Sequence, residues 1–358
     1  MYGIVSIGVT FGHADPLTRR ALALDPASAA RVRAALTGRP GLESVLVATC
    51  HRTEVVFAGP GLTPATAITE FHTALQPAQV VEPPKVVEPP KVVELVETTG
   101  TIATCLQATP RVFAGTDAVR HLFDVACGLD SALLGDAEIL GQLRAAWHAA
   151  EAAGTGGPVL RRVFRDAFAV GRRARATTDI GVGGAGIGSA VAAVVADRDG
   201  PALLVGAGRA ATTIGRRLAK AGRHVAVANR TLARAHHLAA ELGGRAVHLD
   251  DLDAELAVAA VVVTAVGAPT PVLGAERLGA IRRRHPGWQP LIVDAGSPPD
   301  VEPVDGFDIV GLDTLARRAT DRDARRQQAV AAVAALVADA VDRCLVVPEP
   351  VRLPVGVL

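Results

Sequence analysis

The sequence predicts a multidomain protein that combines an α+β N-terminal domain, an α/β domain with a parallel sheet and a C-terminal long helix. Two apolar runs at 45–47 and 55–57 flank a polar turn, as in a pair of strands. Strand-like and helical runs alternate from 200 to 312, which is typical of a parallel sheet. A periodic stretch from Leu315 to Leu345 predicts one helix of roughly 45 Å, which is followed by three prolines.

The expected domains are residues 1–157, with a Pro-rich insertion at about 80–100, then residues 158–312 and finally residues 313–358. The second domain combines a helical connection with the parallel sheet. The insertion contains the tandem repeat Val80–Lys85 and Val86–Lys91, whose paired prolines exclude helix and central strand. We therefore expect an exposed, extended segment without chemistry.

Charge and composition exclude several classes of protein. The net charge of +1 predicts no strong field for nucleic acid or membrane, and the arginines from Arg161 to Arg175 indicate a solvated helix face. No apolar run reaches the roughly 20 residues of a membrane span, and the N-terminus has the pattern of a strand rather than a signal peptide. The four cysteines form no C-x-x-C pair, which predicts no metal site and favours a reducing cytoplasm.

The remaining elements follow from periodicity and from Gly and Pro punctuation. The first strand is predicted at Ile4–Val9. A segment from Gly128 to Gln142 holds an unusual set of polar residues among apolar ones. The predicted helices of the first 196 residues are Pro16–Leu24, Ala27–Leu36, Ala65–Leu75, one from Thr116, Leu143–Ala153, Val159–Ala174 and Ser189–Ala196.

The turn between the two apolar runs is a candidate reactive site. It places the Cys50 thiol beside His51, Arg52 and Glu54. Loops that are held by a rigid sheet commonly carry reactive groups, whereas a lone cysteine is often a small buried hydrophobe. The local pattern therefore leaves both a nucleophile and a structural cysteine open.

A dinucleotide site is predicted downstream, where the apolar strand 201–205 leads into G-x-G-x-x-A and the helix Thr212–Ala221. The next strand, His224–Ala228, ends without an acidic residue and with arginines at 230 and 234, which favours NADPH over NADH. Strands at Ala257–Ala265 and Pro290–Asp294 complete a Rossmann unit, and the ends Thr264–Gly267 and Asp294–Gly296 are expected to face the nicotinamide. The predicted cofactor-binding residues are Gly206, Ala207, Gly208, Arg209, Ala210, Ala211, Asn229, Arg230 and Thr231.

Four blocks, taken together, resemble the glutamyl-tRNA reductase family: 49–54 (TCHRTE), 121–131 (HLFDVACGLDS), 139–142 (ILGQ) and the Rossmann unit with 229–231 (NRT). The resemblance covers about residues 1 to 345. It implies NADPH-dependent reduction of glutamyl-tRNA to glutamate-1-semialdehyde, the entry step of five-carbon tetrapyrrole (porphyrin) biosynthesis. It also implies an N-terminal catalytic domain and, as a possible partner, the aminomutase that takes up the aldehyde.

The resemblance assigns roles to particular residues. Cys50 becomes the nucleophile that holds the glutamyl group as a thioester, and His121 becomes a second catalytic residue. A cation from His51, Arg52 or His121 would favour the thiolate. The residues expected at the substrate are Thr49, His51, Arg52, Ser131, Asp136, Ala137, Glu138 and Gln142.

This chain departs from the family pattern at four places. His51 replaces the usual Asn, and 10–13 (TFGH) replaces an Asn-His-Lys turn. Residues 135–138 (GDAE) replace Gly-Glu-x-Gln, which adds a carboxylate near a pocket for an anionic substrate. Residues 298–300 (PPD) replace Pro-Arg-Asp. The family's C-terminal dimerisation region is shortened, which argues against a homodimer.

Three functions agree with this sequence. The first is an active or divergent NADPH-dependent reductase of glutamyl-tRNA. The altered pocket and the shortened end leave open a non-catalytic, regulatory paralogue. A reductase of another thioester or carrier-bound acyl group is the third.

Overall fold

The computed structural model describes residues 2–10, 13, 18–19, 22–49, 51–76, 110–136, 138–181, 186–268, 270–320 and 324–345. Within these residues the predicted combination of an α+β unit, a Rossmann sheet and C-terminal helix is confirmed. In the predicted helix Pro16–Leu24, residues 18–19 are helical and residues 22–24 are not, whereas 16–17 and 20–21 lie outside the described residues. The Pro-rich repeat lies wholly outside them. No described helix is both long and apolar enough to cross a membrane.

The N-terminal unit is built on an antiparallel sheet in the order β2-β3-β1-β4. Its strands are β1 (Tyr2–Thr10), β2 (Glu43–Thr49), β3 (Arg52–Pro60) and β4 (Arg111–Ala114). Thr49 pairs with Arg52 across the β2–β3 hairpin, and Arg52 also pairs with Thr10 of β1. The ends of three strands therefore meet at one edge of the sheet.

Both faces of this sheet are covered by helices, because side chains of β3 alternate between two cores. Val55 and Phe57 pack with α1 (Pro26–Leu36) and α2 (Pro64–Leu75). Val56 and Ala58 pack on the opposite side. That second core contains α3 (Thr116–Cys127), α4 (Ile139–Ala152) and α5 (Pro158–Thr177).

Helix α5 is capped by a residue far away in the sequence. Gly157 precedes the helix and provides no side-chain cap. Instead, the buried Glu43 carboxylate of β2 accepts hydrogen bonds from the backbone N–H of Val159 at 3.2 Å and of Leu160 at 2.7 Å. A carboxylate at a helix N-terminus is favourable both for these free N–H groups and for the helix dipole.

The second sheet has six parallel strands in the order β10-β9-β8-β5-β6-β7, which is the doubly wound Rossmann order. Its central strands are buried on both faces, which explains their continuous apolar sequences. The strands are β5 (Ala202–Val205), β6 (Val225–Asn229), β7 (Arg245–His248), β8 (Val261–Thr264), β9 (Leu291–Asp294) and β10 (Asp308–Gly311). The helices are α6 (Ile187–Val194), α7 (Arg209–Lys220), α8 (Leu232–Leu242), α9 (Leu252–Val258) and α10 (Ala275–Arg284).

The predicted strand Ala257–Ala265 is too long. Helix α9 occupies its first two residues, and β8 begins only at Val261. Leu252 and Leu256, one helical turn apart, are fully buried, whereas Val258 is 61% exposed. The apolar run 257–265 hides this change because it contains the end of a helix and a strand without a polar break.

The C-terminal region contains α11 (Leu312–Thr320) and α12 (Ala324–Leu345), and residues 321–323 lie outside the described part of the chain. Val333, Val337 and Val341 of α12 belong to the same core as α3 and α5. Helix α12 therefore packs on the N-terminal unit, and so does α5. The predicted domain limits, including the one between 157 and 158, remain predictions.

Candidate active site

The candidate reactive turn connects the end of β2 to the start of β3. Thr49 is the last residue of β2 and Arg52 the first of β3. Cys50 lies outside the described residues, so its role remains a prediction. The backbone N–H of His51 donates to Thr49 Oγ1 at 3.2 Å.

A buried network of charged groups starts at this turn. Arg52 Nη1 lies 2.8 Å from Glu54 Oε2, and His121 Nε2 lies 2.8 Å from Glu54 Oε1. The Ser6 hydroxyl also donates to Glu54. The side chains of Arg52 and Glu54 are only 2% and 4% exposed, so this network lies almost completely out of water.

The charge of Glu54 is stabilised by its partners. Burial alone would raise the pKa of Glu54, but His121, Arg52 and Ser6 together lower it well below its usual range. Because the carboxylate accepts from Nε2, that ring nitrogen of His121 carries a proton and Nδ1 is left for other proton chemistry. Phe113 of β4 stacks on the imidazole at 4.1 Å between centroids, which fixes the plane of the ring.

Asp130 continues the network on the other side of Arg52. Arg52 Nη2 donates to the Asp130 carbonyl oxygen at 2.6 Å and to Asp130 Oδ2 at 3.1 Å. Arg111 Nη1 lies 3.6 Å from the other carboxylate oxygen of Asp130. Both terminal nitrogens of Arg52 are thus engaged inside the protein, while its predicted contact with substrate remains a prediction.

His51 is one of three residues proposed as the source of a cation for the thiol, beside Arg52 and His121. Burial, and then the positive charges of Arg19 and Arg52, lower the pKa of His51 to about 4. The imidazole is therefore neutral at pH 7. Arg19 reaches this region from the N-terminal segment, and its Nη2 also forms a 2.9 Å ion pair with Asp313 of α11.

The remaining predicted substrate residues lie between α3 and α4. The Oγ of Ser131 is buried and has no hydrogen-bond partner in the described part of the chain. Asp136 Oδ1 accepts from the N–H of Glu138 at 2.9 Å, and Glu138 Oε2 lies 3.9 Å from Arg209 Nε of α7. Gln142 is half-buried in the first turn of α4, and Ala137 lies outside the described residues.

A cavity of 460 Å³ adjoins this cluster. His121 and Asp130 belong to its wall, so the imidazole is accessible from a space large enough for a small ligand. Burial raises the pKa of Asp124 to about 6, although His121 and Arg120 act against this. The lining residues are Arg111, Phe113, Asp117, Arg120, His121, Asp124, Leu129, Asp130 and Ala334.

The glycine motif of the second sheet forms the predicted strand–turn–helix. Gly206 has φ +118°, and a Cβ there would lie 2.5 Å from the Ala265 carbonyl oxygen. A Cβ at Gly208 would meet nothing within 4 Å, which leaves room for a ligand beside the N-terminus of α7. Ala211 is fully buried and allows α7 to pack closely on the sheet. These residues have the form of a pyrophosphate cradle.

The residues after β6 lie at the same edge. Asn229 Nδ2 donates to the Thr231 carbonyl oxygen at 3.0 Å, which shapes the turn. Arg230 and Arg234 are exposed there, as are Arg209 and Thr231. No carboxylate occupies the turn 229–231, so the position that binds a ribose hydroxyl in NAD-specific enzymes is not acidic.

Sequence reasoning missed several of the groups that hold this site together. Glu54 was named only as part of the turn, and Ser6, Arg111 and Phe113 were not identified. The partners of Glu54 lie 48 residues before it, at Ser6, and far after it, at His121. The sequence signal for Glu54 is the alternation of side chains along β3, which predicts that this carboxylate faces a buried side of the sheet.

The fold and the site define a class. A Rossmann sheet with a dinucleotide cradle, beside a second unit with a buried His–Glu–Arg network, is the architecture of a nicotinamide-dependent oxidoreductase. Two family models match the chain: "Glutamyl-tRNAGlu reductase, N-terminal domain" over residues 7–178 and "Shikimate / quinate 5-dehydrogenase" over residues 192–317.

Similar proteins identify the family. A glutamyl-tRNA reductase of Salinispora arenicola is 34% identical over 356 residues, which cover 96% of this chain and 73% of the relative. One of Methanopyrus kandleri is 40% identical over 235 residues, which cover 62% of this chain and 58% of the relative. The solved structure of the Methanopyrus kandleri enzyme aligns with 95% of this chain and 79% of its own, at 30% identity and a TM-score of 0.47. The chain belongs to the glutamyl-tRNA reductase family, which catalyses the first step of tetrapyrrole synthesis, and it is an oxidoreductase.

Proposed function

We propose that this protein uses NADPH to reduce the glutamyl group of glutamyl-tRNA to glutamate-1-semialdehyde through a thioester on Cys50. The observation that carries the proposal is the 34% identity with a glutamyl-tRNA reductase over 96% of the chain. Because that alignment spans both units, the turn with the thiol and the Rossmann sheet belong to one enzyme. The aldehyde is passed to the aminomutase that follows in the five-carbon route to tetrapyrroles, and the reaction is cytoplasmic.

The first half of the reaction forms the thioester. The Cys50 sulfur attacks the carbonyl carbon of the aminoacyl ester, a C–S bond forms, and the C–O bond to the terminal ribose of the tRNA breaks. His121 Nδ1 takes the thiol proton and returns it to the leaving ribose oxygen. Glu54 holds Nε2 of the same ring at 2.8 Å, so it orients the imidazole and stabilises its charged form.

The second half needs a hydride. When bound, NADPH supplies the hydride that turns the thioester carbonyl into an aldehyde, while the C–S bond breaks and the sulfur leaves as a thiolate. The residues fit this cofactor, since Gly208 leaves space at the N-terminus of α7 and Gly206 allows the tight turn that leads to it. The exposed guanidinium of Arg230, with Arg234 close by in sequence, suits the 2′-phosphate.

The glutamyl group is held near Ser131 and Arg52. A buried hydroxyl without a partner costs about 1–3 kcal/mol, so the Ser131 Oγ is best explained by a ligand that satisfies it. The family resemblance assigns Thr49, His51, Gln142 and residues 136–138 to the same substrate. The extra charge of Glu138 lies 3.9 Å from Arg209, which reduces its repulsion of an anionic substrate.

A trapping experiment tests the proposal. The protein is mixed with glutamyl-tRNA carrying a radiolabelled glutamyl group, first without NADPH and then with it. We expect a hydroxylamine-sensitive label on the protein in the first step and a labelled aldehyde in the second. Cys50→Ser should show neither, and a wild-type protein that forms no labelled thioester and no aldehyde would contradict the proposal.

Cys127 provides the matched control. This thiol is fully buried, and burial raises its pKa to about 12, so it is not a nucleophile at pH 7. Cys127→Ala should therefore keep both the label and the aldehyde. A label that disappears in Cys127→Ala but persists in Cys50→Ser would reverse the assignment.

A further inference from the structure

The buried carboxylate of Asp300 organises the loops at the carboxyl ends of the Rossmann strands. Its side chain has no exposure to solvent. Asp300 Oδ2 accepts the N–H of Val266 at 2.7 Å, and Oδ1 accepts those of Gly267 at 2.8 Å and Ala268 at 3.2 Å. One carboxylate thus holds three consecutive amides of the loop that follows β8.

The backbone of Asp300 is itself held by the side chain of Asp294, the last residue of β9. The N–H of Asp300 donates to Asp294 Oδ2 at 3.0 Å, and the N–H of Val301 donates to the same oxygen at 3.0 Å. Asp294 Oδ1 accepts from the Thr264 hydroxyl at 3.0 Å. The ends of β8 and β9 and the first residues of the loops that follow them therefore form one continuous hydrogen-bonded unit.

This loop lies directly beside the dinucleotide cradle. The strand order places β8 next to β5. A Cβ on Gly206 would approach the Ala265 carbonyl oxygen to 2.5 Å, so the turn after β5 and the start of the loop are in contact. Val266 follows at once and is 43% exposed, whereas all four residues of β8 before it are buried.

We propose that Asp300 is a positioning residue for the hydride site, because it holds the loop 266–268 so that Val266 provides an apolar surface for the nicotinamide ring. Ligands of open α/β sheets bind outside the carboxyl ends of the strands. The inference rests on the proposed use of NADPH. It adds a specific contact, because the N–H groups of residues 266–268 already donate to Asp300, whereas the exposed side chain of Val266 is available to meet the ring.

The test compares two nucleotides by calorimetry at pH 7.5. One is NADPH, and the other is 2′-phospho-ADP-ribose, which has the same adenosine, phosphates and ribose but no nicotinamide. Val266→Ala should weaken NADPH binding about threefold to tenfold and leave 2′-phospho-ADP-ribose binding unchanged. Asp300→Asn keeps the size of the side chain but cannot accept all three N–H groups. It should likewise weaken NADPH binding and leave 2′-phospho-ADP-ribose binding unchanged.

Val258, the last residue of α9, gives a matched control near the opposite end of β8. It is an exposed valine, at 61%, in the segment that leads into β8. Val258→Ala should change neither affinity. The inference is overturned if Val266→Ala binds NADPH as tightly as the wild type does, or if it weakens both nucleotides equally.

The outcomes separate this inference from the proposed function. A wild-type protein that binds neither nucleotide would contradict NADPH use and the inference with it. A wild type that binds both, with a Val266→Ala variant that is unaltered, would leave the proposed function intact and overturn the inference alone. If Asp300→Asn does not fold, Val266→Ala still decides the question, because its side chain is at the surface.

Discussion

Glu54→Gln is the substitution that most directly tests the buried network. Gln keeps one carbonyl oxygen, but its NH₂ group must face Arg52, His121 or Ser6, which are all donors toward Glu54 in the wild type. The charge of Arg52, whose side chain is only 2% exposed, then loses its nearest anion. Breaking a buried charged pair costs about 3–5 kcal/mol, which is about two to four orders of magnitude in the unfolding equilibrium.

The assay is urea unfolding at pH 7, and Glu241→Gln is its control. Glu241 pairs with Arg216, whose side chain is 64% exposed, so solvent screens this pair and the substitution should cost far less stability than Glu54→Gln. The depressed pKa of Glu54 means that its contribution is present above pH 4.5, its usual value, and decreases as the pH falls below it. A Glu54→Gln variant within 1 kcal/mol of wild type at pH 7 would refute the reasoning.

Three other substitutions have expected outcomes. Since the pKa of His51 falls from 6.5 to about 4, the unfolded state binds the extra proton, so wild-type stability should rise between pH 4 and 6.5 by up to about 1.4 kcal/mol per unit. His51→Asn should remove that slope in urea titrations at several pH values. Glu43→Gln should lower the free energy of unfolding by about 1–2 kcal/mol, because helix α5 loses its charged cap. Gly206→Ala should abolish NADPH binding in calorimetry, since its Cβ would lie 2.5 Å from a backbone oxygen.

Each of these predictions has an outcome that contradicts it. An unchanged pH slope in His51→Asn would mean that His51 is protonated in the folded protein. Thermal unfolding of Glu43→Gln at the wild-type temperature would show that α5 needs no cap. For Gly206→Ala, the control is Gly311→Ala, where a Cβ meets nothing within 4 Å; equal NADPH binding by the two variants would exclude the cradle.

The Rossmann half could be predicted from the sequence because its signals are local. A buried strand, a turn that needs glycine and a helix follow one another within 20 residues from Ala202 to Lys220. The same holds for the hairpin around Cys50. The prediction of a single strand over 257–265 was wrong for a related reason. Local hydrophobicity does not distinguish the end of a buried helix from the start of a buried strand.

The candidate site was harder to predict, because its contacts join distant segments. Arg52 and Asp130 are 78 residues apart in sequence. Strand β4, which supplies Arg111 and Phe113, is only four residues long and was not predicted. Asp300 was noticed as part of an altered motif, but its three amide contacts depend on how two loops meet in space, and no periodicity encodes that.

The placement of α12 has a consequence for how the protein is made. Its buried side chains complete a core whose other buried residues lie between 45 and 180, yet α12 is the last element of the described chain to leave the ribosome. The Rossmann sheet is contiguous in sequence from 202 to 311, so all its strands emerge earlier. During synthesis we therefore expect the Rossmann sheet to acquire its native structure before the N-terminal unit. The apolar core of the N-terminal unit remains incomplete until α12 is synthesised, so it can aggregate or bind chaperones for longer.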